Sequence, residues 1–179
     1  QPDGLWEELT TKKWRYKYPD PADAGEGLYR RSIYTFVKRT SPPPSMMLFD
    51  ASGRDLCVVR RGATNTPLQS LVLLNDTQFV EASRVLAEQA TKAEKTTDMR
   101  IKMVFRSLLG RKPETRESSR LLALYQTQLS RFISTPDDAL ALINVGEKPA
   151  DQTLDASEVA ALTVVANAVM NTDASYTKR

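Results

Sequence analysis

The chain has 179 residues, a length that suits one domain of ordinary size. It contains no histidine and one cysteine, Cys57, so it has neither a histidine-activated nucleophile nor histidine-ligated zinc, nor an internal disulfide. Haem held by a proximal histidine is excluded on the same ground. The net charge of +3 is too small to indicate a nucleic-acid partner by itself.

Residues 1–26 are predicted to form an extended N-terminal arm that packs on a helical domain of residues 27–179. The arm carries the cluster "KKWRYK" from Lys12 to Lys17 and a proline- and glycine-rich stretch, "YPDPADAGEG". Its aromatic residues have two interpretations: they pin the arm to the body, or they form a contact surface for a sugar or a partner. The aromatic residues concerned are Trp6, Trp14, Tyr16 and Tyr18.

Helical spacing of apolar residues predicts a first helix over residues 28–38, which the prolines of "SPPPS" end. The pattern from Met46 to Asn65 is irregular, and its segment "DLCVV" fits a short strand or a helical turn equally well. We expect a long ordered loop here.

A helix with clear start signals follows. Thr66 is a favourable N-cap, Pro67 suits the first helical position, and Gln69 is placed to complete a capping box. The helix is apolar on nearly every face, because it carries Leu68, Leu71, Val72 and Leu74. We therefore expect it to be central in the fold.

The rest of the chain has the pattern of further helices joined by short connections. Asp76 or Thr77 begins one, Thr97 or Asp98 begins the next, and Gly110 ends that helix with a left-handed cap. The predicted later helices span 114–134 and 139–144, with a last one that begins after the capping box "DASE" at Asp155. The sequence therefore predicts an all-α fold: a single irregular bundle of about six helices.

Polar chemistry is densest in the loop from Arg39 to Asn65. In the functional interpretation this loop forms an anion or carboxylate pocket, with arginine forks and the amides of the following helix as donors. In the structural interpretation, which we favour, the arginines brace the loop by pairing with its acids and carbonyl groups. The candidate residues are Arg39, Asp50, Arg54, Asp55, Arg60, Arg61, Asn65 and Thr66.

We predict no catalytic residue and no metal site. The chain lacks histidine, and it also lacks a calcium-loop motif. No apolar run is long enough to span a bilayer. The start of the chain lacks the features of a signal peptide and an initiating methionine, so we expect the chain to be part of a longer protein.

Several motifs in order resemble one known family. They are "PDGLWEEL", "RRSIYTFVKRTSPPPSMM", "NTPLQSLVLLND", "FRSLLGRKPE" and a closing Asn171 and Asp173. The resemblance is to a C-terminal domain of planctomycete-type, cytochrome-associated surface proteins, domain-of-unknown-function family fifteen fifty-three. The chain departs from the family pattern at Ala63, Ala174 and Ser175.

The resemblance implies an exported, multidomain protein in the periplasm or outside the cell, but no activity and no catalytic residues. Haem is expected only in an upstream cytochrome c-like domain, since this chain has no C-x-x-C-H motif and needs no cofactor. We expect a non-catalytic helical scaffold whose partners are upstream domains of the same polypeptide. The alternative is an arginine-rich loop that contributes to a polysaccharide-related site shared with those domains; a nucleic-acid partner is not expected.

Overall fold

The structure is a computed structural model, and it describes residues 44–52, 59 and 62–177. The chain divides into two compact units, residues 1–64 and residues 65–179. The described residues form helices and no strand, which confirms the all-α prediction. The helices are α1 (Pro44–Leu48), α2 (Pro67–Asn75), α3 (Thr77–Ala93), α4 (Thr97–Leu109), α5 (Thr115–Ser134), α6 (Pro136–Ile143), α7 (Ala156–Met170) and α8 (Asp173–Tyr176).

In the first unit, α1 is a single helical turn that the sequence pattern did not predict. The chain turns after it: the Ala51 amide donates to the Met46 carbonyl at 2.9 Å, and Asp50 has a φ of 56°. Asp is among the few non-glycine residues that adopt this left-handed conformation readily. The predicted helix at 28–38 and the segment "DLCVV" lie outside the described residues.

In the second unit, the start of α2 confirms the predicted capping box. The Thr66 hydroxyl accepts from the Gln69 amide at 3.3 Å, and the Gln69 side chain accepts from the Thr66 amide at 2.9 Å. These two bonds satisfy donors that the first turn of a helix otherwise leaves free.

The ends of the other helices also follow their sequence signals. The Asp76 carboxylate accepts from the Gln78 amide at 2.9 Å at the start of α3, and the Asp155 carboxylate accepts from the Glu158 amide at 2.8 Å at the start of α7. Gly110 ends α4 in the left-handed conformation, with a φ of 70°. Glycine adopts that conformation without the steric cost that a Cβ atom brings.

The core of the second unit is built around α7, which packs against α2, α3, α4, α5 and α6. Its sequence "VAALTVVANAV" is apolar on nearly every face, as a helix enclosed by others requires. Small residues allow the neighbouring helices to approach closely, and larger ones fill the gaps. The buried apolar side chains of α7 are Val159, Ala160, Ala161, Leu162, Val165, Ala166 and Val169.

The prediction that α2 is central was wrong. Leu73 and Gln69 are buried, and the Leu73 carbonyl accepts from the Asn167 side chain of α7 at 3.0 Å. In contrast, Leu68, Leu71 and Leu74 remain 55%, 56% and 44% exposed. One edge of α2 anchors it to the bundle, and the central position belongs to α7.

Candidate functional site

Of the eight candidate residues named for the arginine-rich loop and the helix start after it, the structure describes three: Asp50, Asn65 and Thr66. The other candidates, and the four aromatic residues of the arm, lie outside the described residues, and their roles stay predictions. They are Arg39, Arg54, Asp55, Arg60, Arg61, Trp6, Trp14, Tyr16 and Tyr18.

Asp50 closes a loop in the first unit. Its carboxylate accepts from the Thr64 amide at 2.7 Å and from the Thr64 hydroxyl at 2.9 Å and 3.0 Å. A carboxylate with this arrangement stabilises the local backbone, because it satisfies a loop N–H group.

Asn65 and Thr66 have structural contacts in the second unit. The Asn65 side-chain oxygen accepts from the Tyr176 hydroxyl of α8 at 3.0 Å, and Thr66 caps α2. Both residues therefore contribute to holding the start of α2.

A buried set of charged residues on α3 was missed by the sequence analysis. Glu81, Arg84 and Glu88, here called the buried charged triad, lie on one stripe of the helix at spacings of three and four residues. Arg84 is 0% exposed, an unusual position for a guanidinium group.

Arg84 connects its own helix to the chain segment between α6 and α7. One terminal nitrogen donates to Glu88 Oε1 at 2.6 Å, and the other donates to the Lys148 carbonyl at 2.6 Å. The Arg84 Nε atom is buried and has no partner among the described residues. The two short charge-assisted bonds favour the buried position of the guanidinium.

The two glutamates of the triad bind the backbone of the same segment. Glu81 accepts from the amides of Glu147 at 3.0 Å and Lys148 at 3.2 Å, and Glu88 accepts from the Asp151 amide at 3.2 Å. These amides satisfy the carboxylates, so the triad fixes a connection that has no regular secondary structure of its own.

The stripe continues to Lys92, whose ammonium group pairs with Asp151. The hydrogen bond to Asp151 raises the pKa of Lys92, and the same bond lowers the pKa of Asp151. Four positions of one helix face thus hold the part of the α6–α7 connection from Glu147 to Asp151.

Gly146 makes the close approach to the triad possible. It has a φ of 101°, and a Cβ atom at this position would lie 2.1 Å from Glu81 Oε2. A residue with a side chain therefore fits neither the backbone conformation nor the space.

A second charged region lies where α4 meets α5. Arg111 donates to both carboxylate oxygens of Glu117, at 2.6 Å and 2.7 Å, and its guanidinium lies 4.9 Å from the centre of the Phe105 ring. The hydrogen bond from Arg111, aided by one from the Glu114 amide, lowers the pKa of Glu117 to about 2. The same pair raises the pKa of Arg111.

Four exposed cations lie within four residues of Phe105, Arg111 or Glu117 along the chain, and we call them the basic corner: Arg106, Lys112, Arg116 and Arg120. None of the four forms an ion pair within residues 62–177. Elsewhere in the second unit most cations are paired, including Arg84, Lys92 and Arg100.

The described residues contain no group of three or more acidic or cysteine side chains placed to hold a metal ion. Within the same residues, no helix is both long and apolar enough to cross a membrane.

The second unit is thus an all-α fold in which a buried charged triad fixes one connection between helices. A family model described as "PSD1: Protein of unknown function (DUF1553)" matches residues 3–125, more than half of the chain, and the chain belongs to this family. This confirms the resemblance to domain-of-unknown-function family fifteen fifty-three; the closing Asn171 and Asp173 lie beyond the matched residues. No curated protein and no solved structure matches the chain.

Proposed function

We propose that this chain is a non-catalytic helical interaction module of an exported multidomain protein. Its partner in the proposal is an upstream domain of the same polypeptide, in the periplasm or outside the cell. The family resemblance supports this setting, including a cytochrome c-like domain as the place for any haem.

The observation that carries the proposal is the leucine face of α2, formed by Leu68, Leu71 and Leu74. The three residues lie three positions apart, so their side chains lie on one side of the helix. Each keeps about half of its surface exposed, although α2 is firmly held on its other edge by Leu73 and Gln69. An exposed apolar strip on a well-anchored helix is typical of a contact surface.

The size of the leucine face favours a partner on the same polypeptide. Burying three half-exposed leucines yields roughly 3 kcal/mol in all. A free partner loses about 4–15 kcal/mol of translational and rotational freedom on binding. A tethered partner avoids most of that loss, because a linker raises its effective concentration to about the millimolar range.

Composition supports the non-catalytic part of the proposal. The chain offers no imidazole and a single thiol, so acid–base and nucleophilic pairs that depend on histidine cannot form from its own residues.

The test is a binding measurement between this chain and the region that precedes it in the full-length protein. Replacing all three leucines (L68S, L71S and L74S) is expected to weaken binding at least tenfold, or about 1.4 kcal/mol. The matched control replaces two exposed apolar residues elsewhere, Ile133→Ser and Leu140→Ser, and is expected to change the affinity less than about twofold.

Equal binding by the leucine variant, with an unchanged melting curve, would contradict the proposal. The alternative, a polysaccharide-related site built on the arginine-rich loop, has a different signature. It predicts that Arg60→Ala abolishes binding on a glycan array and leaves binding of the upstream region intact.

A further inference from the structure

We propose that the basic corner binds a linear acidic polysaccharide, a sugar chain that carries carboxylate or sulfate groups at intervals. This inference concerns α4 and α5 and does not depend on the leucine face of α2.

The first observation is the uneven distribution of charge along the second unit. Residues 95–120 carry eight Lys or Arg side chains against three Asp or Glu, a net charge of +5. Residues 121–177 carry two cations against seven acids, a net charge of −5. Five of these eight cations, from Arg106 to Arg120, lie at or next to the turn between α4 and α5.

The second observation is how the fold gathers these cations. Gly110 reverses the chain after α4, and Arg111 then bonds to Glu117 on α5 while it lies over Phe105 on α4. Arg106 and Arg116 are the sequence neighbours of Phe105 and Glu117. Exposed cations of both helices therefore lie within four residues of this interhelical contact along the chain.

The third observation is that helix stability does not explain two of these cations. Arg116 lies in the first turn of α5, where the positive end of the helix dipole disfavours a cation. Arg120 lies one turn further on the same face, where two like charges repel by a few tenths of a kcal/mol. Neither is paired with an acid in the described part of the chain. An anionic partner removes both penalties.

The chemistry of the corner narrows the class of anion. Three of its four cations are arginines, whose planar forks match carboxylate, sulfate and phosphate groups. Phe105, the aromatic residue within 95–120, is buried beneath Arg111, so no ring is available to stack on the bases of single-stranded nucleic acid.

Double-stranded DNA and a membrane surface fit less well. DNA presents one charge for about every 1.7 Å of its length, a much denser row of charge than four cations can match. A membrane-bound helix carries apolar side chains at its contact face. On α4 and α5 the exposed large apolar side chains are Met99 and Ile133, which lie at the helix ends far from the Gly110 turn. A flexible and sparsely charged sugar chain meets neither obstacle.

The experiment measures binding of the whole chain to immobilised polygalacturonate over a series of salt concentrations, with neutral dextran as the reference. Two variants test the corner: R116Q with R120Q, and the fourfold variant that adds R106Q and K112Q. The control, K95Q with K148Q, removes as many charges as the first variant from exposed sites outside the corner. Melting curves establish that each variant is folded.

We expect the wild-type chain to bind polygalacturonate and not dextran, with an affinity that falls as salt rises. The fourfold variant should bind at least about tenfold more weakly and with a shallower salt dependence, since each lost cation removes about one ionic contact. The control should remain within about twofold of wild type.

Three results would overturn the proposal. One is no binding by the wild-type chain, and another is an equal loss of binding in the control. The third is tighter binding to single- or double-stranded DNA than to polygalacturonate, which would assign the corner to nucleic acid.

Discussion

The second unit contains two groups of charged residues that are treated in opposite ways. The side chains of the buried charged triad of α3 bond to each other and to backbone groups of one connecting segment, at 2.6–3.2 Å. The basic corner leaves four cations in solvent without an ion pair in the described part of the chain. The triad combines one cation with two carboxylates in the interior, whereas the corner consists of four cations in solvent.

The comparison separates charge that serves folding from charge available to a partner. A buried charge is tolerated only where hydrogen bonds and counter-charges compensate its loss of hydration. An exposed cation needs no such compensation. It stabilises the fold only when it lies next to an acidic side chain or the C-terminus of a helix. Arg84 is buried and compensated by Glu88 and a backbone carbonyl, whereas Arg116, among the described residues, lies next to neither an ion-pairing acid nor a helix C-terminus.

The largest effect should come from breaking the triad. Arg84→Ala leaves Glu88 buried without its cation, and we expect the free energy of unfolding to fall by about 3–5 kcal/mol. Arg116→Ala makes the same chemical change in the basic corner, and it should alter the free energy of unfolding by less than about 0.5 kcal/mol. Denaturant unfolding measures both values, and equal effects would abolish the distinction between the two regions.

A second test compares glycines in the two regions. Gly146→Ala introduces a strained backbone and a clash with Glu81, and we expect a loss of about 2–4 kcal/mol. Gly110→Ala, at the basic corner, has a similar positive φ but open space around it, so the loss should be closer to 1 kcal/mol. Thermal unfolding of the two variants measures both losses in stability. Equal losses would mean that the clash with Glu81 adds nothing to the cost of the strained backbone.

The smallest effect concerns the Arg111–Glu117 pair. The pKa of Glu117 is lowered in the folded state from 4.5 to about 2. Its contribution to stability is therefore complete above about pH 4.5 and is lost as the pH falls towards 2. Because the pair is partly exposed, the contribution should not exceed about 1 kcal/mol.

Glu117→Gln keeps an acceptor for the Glu114 amide and removes the ion pair with Arg111. The variant should melt below the wild-type chain at neutral pH, and the two melting temperatures should converge near pH 2. A difference that stays constant over this range would show that the carboxylate charge has no part in it.

Local signals in the sequence were sufficient to predict much of the fold. Thr66, Asp76, Gly110 and Asp155 each act within one helical turn, and each has its predicted role at a helix end. Such signals depend on neighbouring residues, so they are visible without knowledge of the tertiary structure.

The arrangement of helices was harder to predict. An apolar sequence indicated that α2 was central, but burial depends on which helices pack around it, and those pack around α7. The triad was missed because its partners are backbone groups 63–67 residues further along the chain. A charged stripe at helical spacing usually faces solvent, and nothing local distinguishes Glu81 and Arg84 from that case.

The arginines of the predicted arginine-rich loop lie outside the described residues, and the role of that loop stays a prediction. Asp50 and Thr66 satisfy backbone groups, in keeping with a bracing role for these two residues. The described residues revealed a different cationic region, at the junction of α4 and α5. Its density of Lys and Arg over 95–120 was visible in the sequence, but its exposure required the structure.

The most direct test is the melting temperature of three forms of the chain with and without polygalacturonate. A ligand that binds the folded state raises the melting temperature. We predict an increase for wild type and an equal increase for Arg84→Ala from a lower starting point. R116Q with R120Q should start at the wild-type temperature and show little or no increase. A double variant that starts several degrees lower, or that gains as much from the polysaccharide as the wild-type chain, would contradict the separation of structural from binding charges.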